Sequence, residues 1–428
     1  MNKGRKGLKR RDFLGTAATA AAFSAAPYVR RARAAEVVKV GFDAPVTGDV
    51  AAWGLPGLYG CEIWAEKVNA AGGINVGGTP HMVELISYDN EYLADKALTG
   101  AKKLVLEDGV KFVLQLGGTD ALATADFMTK NEMLCSTLVP ADLSPETTFL
   151  LAPCEVHPIY NATGVDWLAR NKPELKTVAL VAQDDTLGRP SIATYRAAFE
   201  AAGIEIVHDS FFDAATTDFA PIMTAMMAAK PDILCFDTAY PDFINFLNEQ
   251  AFLQGYEGAI ISCTLDGYPV IMEKTSKDFL EGYVFQFPDF DDAALNQPQI
   301  NFKNANDFYA EYNKRYPGAW NAVSWEYAAI LELWKSGVER AGSVEPPAVL
   351  EAMKAGGKGD HAFGPAVWWG EELFGINNAL VGAWPVVQMQ NGKATIVEYG
   401  SIPAWWEKNK DLMIKHFEAL GEMWYQRT

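Results

Sequence analysis

The sequence predicts an α/β architecture of parallel sheets covered by helices, arranged as two similar halves, and three observations carry that expectation. Short apolar runs rich in β-branched residues alternate with helix-period segments along most of the chain. Two stretches of this alternation resemble each other: the strand near 111–116 and the strand near 233–236 each run into Gly, Thr or Asp and then a helix. The 428 residues, 49% hydrophobic and 12% aromatic, call for two or three globular domains at a prior of about 150 residues each, and we take two.

In chain order, strands are expected at 37–42, 82–88, 111–116, 134–138, 177–182, 204–211, 233–236 and 259–262. Helices are expected between them at 57–69, 94–107, 121–131, 188–202, 219–229 and 241–254. Strands joined through helices pair in parallel, and such folds bind ligands beyond the carboxyl ends of their strands. Two facing units would place those ends on the walls of one cleft. The last stretch, 405–428, opens with Trp405-Trp406 and continues into a helix-like segment, which reads as a tail packed on the body.

The amino terminus stands apart from this pattern. Lys9-Arg10-Arg11-Asp12-Phe13-Leu14-Gly15, a weakly apolar run to Ala26 and the triplet Ala32-Arg33-Ala34 read as a twin-arginine export signal, cleaved near Ala34. Its apolar part is shorter than the ~20 residues of a membrane span. No lipid-attachment cysteine follows, so a free exported product is expected. The first 34 residues hold nine basic residues against one acidic, so the formal charge of −18 for the whole chain becomes about −26 without them. Such a surface repels phosphate backbones and anionic lipid, so neither nucleic acid nor direct membrane insertion is expected.

Five cysteines, an odd number, do not make a disulfide framework. A bridge between Cys135 and Cys154 stays open: it would close a loop of about 20 residues and contribute roughly 3 kcal/mol. The five histidines, His81, His157, His208, His361 and His416, are scattered and read as satisfied surface residues. With no Cys-x-x-Cys and no paired Cys/His spacing, no metal or cofactor is expected. Nucleotide-binding glycine motifs, His-Glu-x-x-His and Gly-x-Ser-x-Gly are all missing from the sequence, which argues against an enzyme.

Several segments carry a likeness. Val40-Gly41-Phe42-Asp43-Ala44-Pro45-Val46-Thr47-Gly48, then Ala52-Trp53-Gly54, Gly60 and Val68-Asn69-Ala70-Ala71-Gly72-Gly73-Ile74 lead the chain. Tyr88-Asp89-Asn90, the turn from Pro140 to Pro145, Asp184-Asp185-Thr186-Leu187-Gly188, Asp218-Phe219, Ala239-Tyr240-Pro241-Asp242 and Phe363-Gly364-Pro365 follow in order. With these segments the chain resembles the branched-chain amino-acid type of periplasmic binding protein that serves ABC transporters. The resemblance implies two Rossmann-like lobes joined by three crossovers, the type I periplasmic binding fold. Lobe one would take 36–155 and 286–364, lobe two 156–285 and 365–404, with 405–428 as tail. It further implies a periplasmic location, ABC permease subunits as partners, and a small amino acid or amino-acid-like ligand trapped by hinge closure. An aromatic or short-chain carboxylic acid or amide, or a sensing rather than transport role, remains the alternative.

Candidate ligand contacts follow from the chemistry and the likeness together. Gly117, Gly118, Thr119 and Asp120 end a strand and open a helix, so backbone N–H groups and the Thr119 hydroxyl could receive a carboxylate or carbonyl; the same turn serves equally as an ordinary helix cap. Asp142 falls in the next loop, where a carboxylate would repel an α-carboxylate and favour an amine, amide or hydroxyl. By resemblance, Asp266 would pair with a ligand ammonium and an aromatic ring after the neighbouring strand, here Tyr240 beside Asp237, would pack on the ligand. Trp53 supplies an apolar floor, with Tyr88 and Phe287 as further aromatics. Asp184 and Thr186, with Gln183, stand on the lobe-two rim.

Overall fold

The computed structural model describes residues 36–427 except 49, 214, 238–240 and 266, and at 241 only the backbone. The export segment therefore lies outside the described residues. No described helix is long and apolar enough to cross a membrane.

Two sheets organise the chain. The first holds β1 (Glu36–Ala44), β2 (Ile74–Val76), β3 (Thr79–Asp89), β4 (Val113–Gln115), β5 (Cys135–Ser136) and β6 (Leu150–Leu151), in the order β2-β3-β1-β4-β5-β6. All its pairings are parallel except the β2–β3 hairpin. The second sheet holds β7 (Thr177–Gln183), β8 (Glu205–Phe212), β9 (Ile233–Asp237), β10 (Ala259–Ser262), β11 (Val284–Phe285), β12 (Lys358–His361), β13 (Gly364–Trp369), β14 (Ala379–Gln390) and β15 (Lys393–Ser401). Its order is β12-β13-β14-β11-β10-β9-β7-β8, with β15 paired to β14. The strands β8, β7, β9, β10 and β11 run parallel, and an antiparallel extension is added through β14.

The strands that sit between helix layers are mostly apolar, as parallel sheets covered on both faces require, with Asp43, Gln115, Gln183 and Asp237 buried near the carboxyl ends of β1, β4, β7 and β9. In β7, Val178, Leu180 and Ala182 face one core cluster while Ala179 and Val181 face another, the period-two alternation of a strand with two buried faces. The first cluster runs through the crossovers, where Tyr160 stacks on Trp384 at 4.9 Å and meets Phe287 edge-on at 5.4 Å. The crossovers are the chain after β6, the chain after β11, and the return near β14, where Ala152 bridges Ala379. Helix Val323–Ala341 packs beside helix Leu55–Ala70 against the first sheet. The tail forms helix Ile402–Leu420 and packs chiefly on helix Gly188–Ala202 of the second half. Beyond it, Trp424 N–H donates to Leu373 O at 3.1 Å, and the Arg427 guanidinium donates to Ala141 O and, at 3.2 Å, to Leu143 O in the first half.

All five cysteines are buried and unbridged, so the open pairing of Cys135 with Cys154 is not formed. The surface reading of the histidines is corrected for three of them: His81, His157 and His361 are 8%, 9% and 1% exposed. His361 is held by the Cys154 carbonyl, and burial pushes its pKa down to about 4.

Candidate ligand-binding site

A cavity of about 80 Å³ lies between the two halves, several times the ~10–15 Å³ that one water occupies on this measure. The first half supplies Val50, Trp53, Tyr92, Leu116, Gly117, Leu138, Val139, Val323 and Glu326, and the second Leu187, Cys263 and Thr264. Glu155, His157 and Phe287 come from the crossovers. Most of this lining is apolar, and the polar groups gather where the crossovers pass.

On the first-half wall, the turn after β4 reverses through Gly117 (φ 119°) and Gly118 (φ 66°). A Cβ there would fall 2.5 Å from the Thr137 hydroxyl oxygen or 2.5 Å from that of Tyr92, so only glycine fits. The amides this turn presents are all engaged within the protein. Gly117 N–H donates to Asp120 at 2.8 Å, Gly118 N–H to Asp142 at 2.8 Å, and Thr119 N–H to the Tyr92 hydroxyl at 3.4 Å. Asp142 also accepts from the Thr137 hydroxyl at 2.7 Å. Asp120 further accepts from Asn90 at 3.1 Å. Burial raises both carboxyls, Asp120 to about 6 and Asp142 to about 7, against the opposing pull of these bonds. Asp43, at the end of β1, is fully buried beside Asp120 and is pushed up to about 8, first by desolvation and then by the Asp120 charge.

The rest of the lining, near the crossovers, holds the residues that sequence reasoning missed. Glu155 is buried, accepts from the Tyr160 hydroxyl at 2.7 Å and shares a hydrogen bond with Glu326. Burial raises the Glu155 carboxyl above its ordinary range, against the opposing pull of the His157 charge and of its bonds to Tyr160 and Glu326. His157 Nε2 lies 3.8 Å from Asp237 Oδ1 and 3.2 Å from the Ser191 hydroxyl, and Asp237 accepts from Asn161 at 2.6 Å. Burial opposes charge on His157, but Asp237, with Glu155 and Asp185 beyond, outweighs it and holds the imidazole pKa above its ordinary value. Cys263 Sγ is 3.1 Å from the Tyr160 hydroxyl.

Of the residues singled out in the sequence, Trp53 and Phe287 line the cavity, with Gly117 from the helix-opening turn. Gly118, Asp120 and Asp142 sit behind that wall as its internal bonding, and Asp237 lies behind His157. Thr119 and Thr186 are exposed, Asp184 pairs with Arg189 at 2.8 Å on the surface, and Tyr88 lies under Lys103 at 5.5 Å, all away from the lining. Gln183 is buried at the end of β7. Tyr240 and Asp266 are outside the described residues. A signal for Glu326 was present: it is the single charge in the apolar run Val323-Ser-Trp-Glu-Tyr-Ala-Ala-Ile-Leu331. Glu155 and His157 gave none beyond their place just after β6.

Residues 157, 237 and 263 are distant in sequence, so spacing could not reveal that their ligating atoms lie within 4.8 Å of one another, all buried. This donor set of imidazole, carboxylate and thiol is of a kind a zinc-like ion accepts. The His157–Asp237–Asn161 bonding already gives these groups a role without one.

Two mixed α/β halves built on parallel sheets, with a cavity at their junction, define a bilobal solute-binding architecture. Residues 37–394 match the family model described as periplasmic binding protein, and the chain belongs to that family. It is 25% identical over 347 residues, 78% of this chain and 87% of the other, to a leucine-, isoleucine-, valine-, threonine- and alanine-binding protein of Pseudomonas aeruginosa. It is 26% identical over 336 residues, 75% and 84% of the two chains, to a Leu/Ile/Val-binding protein homologue of Brucella melitensis. Among solved structures, a leucine-binding protein of Thermotoga maritima superposes with a TM-score of 0.67 at 21% identity, covering 85% of this chain and 99% of the other. A solute-binding protein of an ABC transporter from Rhodopseudomonas palustris, in complex with p-hydroxybenzoic acid, does so at 0.70 and 18% identity, covering 88% and 100%.

Proposed function

We propose that this chain captures a small solute in the cavity between its halves, outside the cytoplasm, and presents it to the membrane permease of an ABC uptake system. The observation that carries this reading is that one cavity takes its lining from both halves and from the crossovers between them, so rotation about the crossovers would open and close it. The names of the relatives support an amino-acid-like ligand, and the hydroxybenzoate complex supports an aromatic acid as the second reading. The lobe boundaries at 155, 285 and 364 belong to the same reading, as does export by the twin-arginine segment 9–15, with cleavage near Ala34 and release into the periplasm.

The role is binding, without covalent change. Asp237 and Ser191 both address Nε2 of His157, whereas a nucleophile–base–orienter chain uses opposite ring nitrogens. A thermal-shift screen across amino acids, amides, amines and aromatic acids tests the proposal. A ligand at 100 times its Kd stabilises by about 2.7 kcal/mol, roughly 3 °C in Tm for a chain of this length. Silence across every class, or turnover of any compound, counts against it.

A further inference from the structure

We infer that the cavity selects a small organic cation, its ammonium held between Glu155 and Glu326, and offers no seat for a free carboxylate. This rests on the cavity being the ligand site proposed above, and it narrows what enters.

Charge comes first. Glu155 and Glu326 line the cavity together with His157, and no described lining residue is Lys or Arg. The His157 imidazole faces Asp237, so its charge is matched by a carboxylate of the protein itself. The nearby guanidinium of Arg189 pairs with Asp184, and that of Arg427 bonds the Ala141 and Leu143 carbonyls.

Backbone donors are the other means of holding an anion, and helix openings commonly supply them. Here the opening of helix Thr119–Lys130 is taken. The Asp142 carboxylate receives the Gly118 N–H and the Thr137 hydroxyl, the donors an incoming carboxylate would need. Asp142 and Asp120 already fill the positions behind that turn, so a ligand carboxylate would find its backbone donors taken. Among the lining residues, the Trp53 indole N–H is buried without a partner, and one neutral donor does not replace a counter-charge.

The carboxyl pair has the complementary property. Glu155 and Glu326 hold a hydrogen bond between them inside an apolar surround. Entry of an ammonium would provide N–H donors to both carboxyls. Beyond the pair, Trp53, Leu116, Leu138, Phe287 and Val323 form an apolar wall for a short hydrocarbon or ring. An ammonium with a compact apolar body meets both ends, whereas an α-amino acid would satisfy one and bury its carboxylate unpaired.

The test is calorimetric titration of the purified protein with matched probes: 3-methylbutylamine, 3-methylbutanoate and leucine, then benzylamine and benzoate. The amines are expected to bind while the acids and leucine do not. Glu326→Gln is expected to weaken the amines at least ten-fold, with Glu155→Gln as the second variant and circular dichroism confirming that each folds. Binding of acids or leucine without the amines overturns this inference and leaves solute capture standing. Amine affinity unchanged in both folded variants also overturns it. No heat with these probes or with any class of the wider screen removes the capture reading itself.

Discussion

The two walls of the cavity handle their polar groups in opposite ways. On the first-half wall, Gly117, Gly118, Asp120, Thr137 and Asp142 bond to one another and leave little for a ligand. Toward the crossovers, Glu155 meets the Tyr160 hydroxyl, Glu326 and the charge of His157, and both carboxyls stay on the cavity lining. Side chains on and behind the lining thus decide which part of one cavity is sealed and which is receptive.

Breaking the sealed wall should have the largest effect. Asp142→Ala strands the Gly118 N–H and the Thr137 hydroxyl in a buried site and is expected to cost about 3 kcal/mol by urea unfolding. The same variant should gain binding of 3-methylbutanoate, because the freed donors suit a carboxylate. If it binds no acid, the sealed-wall account is wrong. Gly118→Ala comes next, at about 2 kcal/mol, from a positive φ combined with the clash at the Tyr92 hydroxyl. A loss under 0.5 kcal/mol would mean that the turn relaxes freely.

The pH dependence sharpens the comparison. Asp120, Asp142 and Asp43 keep their protons in the fold up to about 6, 7 and 8, against an ordinary 3.8 in the unfolded chain. The folded state therefore binds more protons than the unfolded state between these limits, and stability falls as pH rises, by up to about 1.4 kcal/mol per unit for each group. Asp43→Asn should be no more stable than the parent near pH 4 and measurably more stable at pH 8, and equal stability at both would show that the acid is not protonated. The smallest effect belongs to the surface: Glu200→Gln, which loses its contacts with Lys415 and His416, should cost under about 1 kcal/mol and less still at high salt.

The sequence displayed the frame better than the site. β7 and β10 were legible nearly to the residue because β-branched runs ended at Gly, Asp or Ser. β5, expected over 134–138, shrank to two residues, since flanking apolar residues that read as strand leave the ladder for turns. The helix expected over 94–107 closes in a wider π-turn at Lys103–Asp108. Between 263 and 404 no element was assigned, although helix Val323–Ala341, buried on most of its surface, forms there; the helix-like tail was legible and forms Ile402–Leu420. The turn at 117–120 was visible, but its occupation by Asp142 was not, and Glu155 meets Glu326 across 171 positions, a convergence that only the crossovers create.

The chain end has a mechanical consequence. Helix Ile402–Leu420 rides on the second half, Trp424 is pinned at Leu373, and Arg427 grips the loop that carries Asp142. Gly375 also meets Pro145 and Trp424, so the last residues are tied to the first half while the helix before them lies on the second. If the halves part, the guanidinium would have to leave its carbonyls or the helix its bed, so the end of the chain would act as a tether between them.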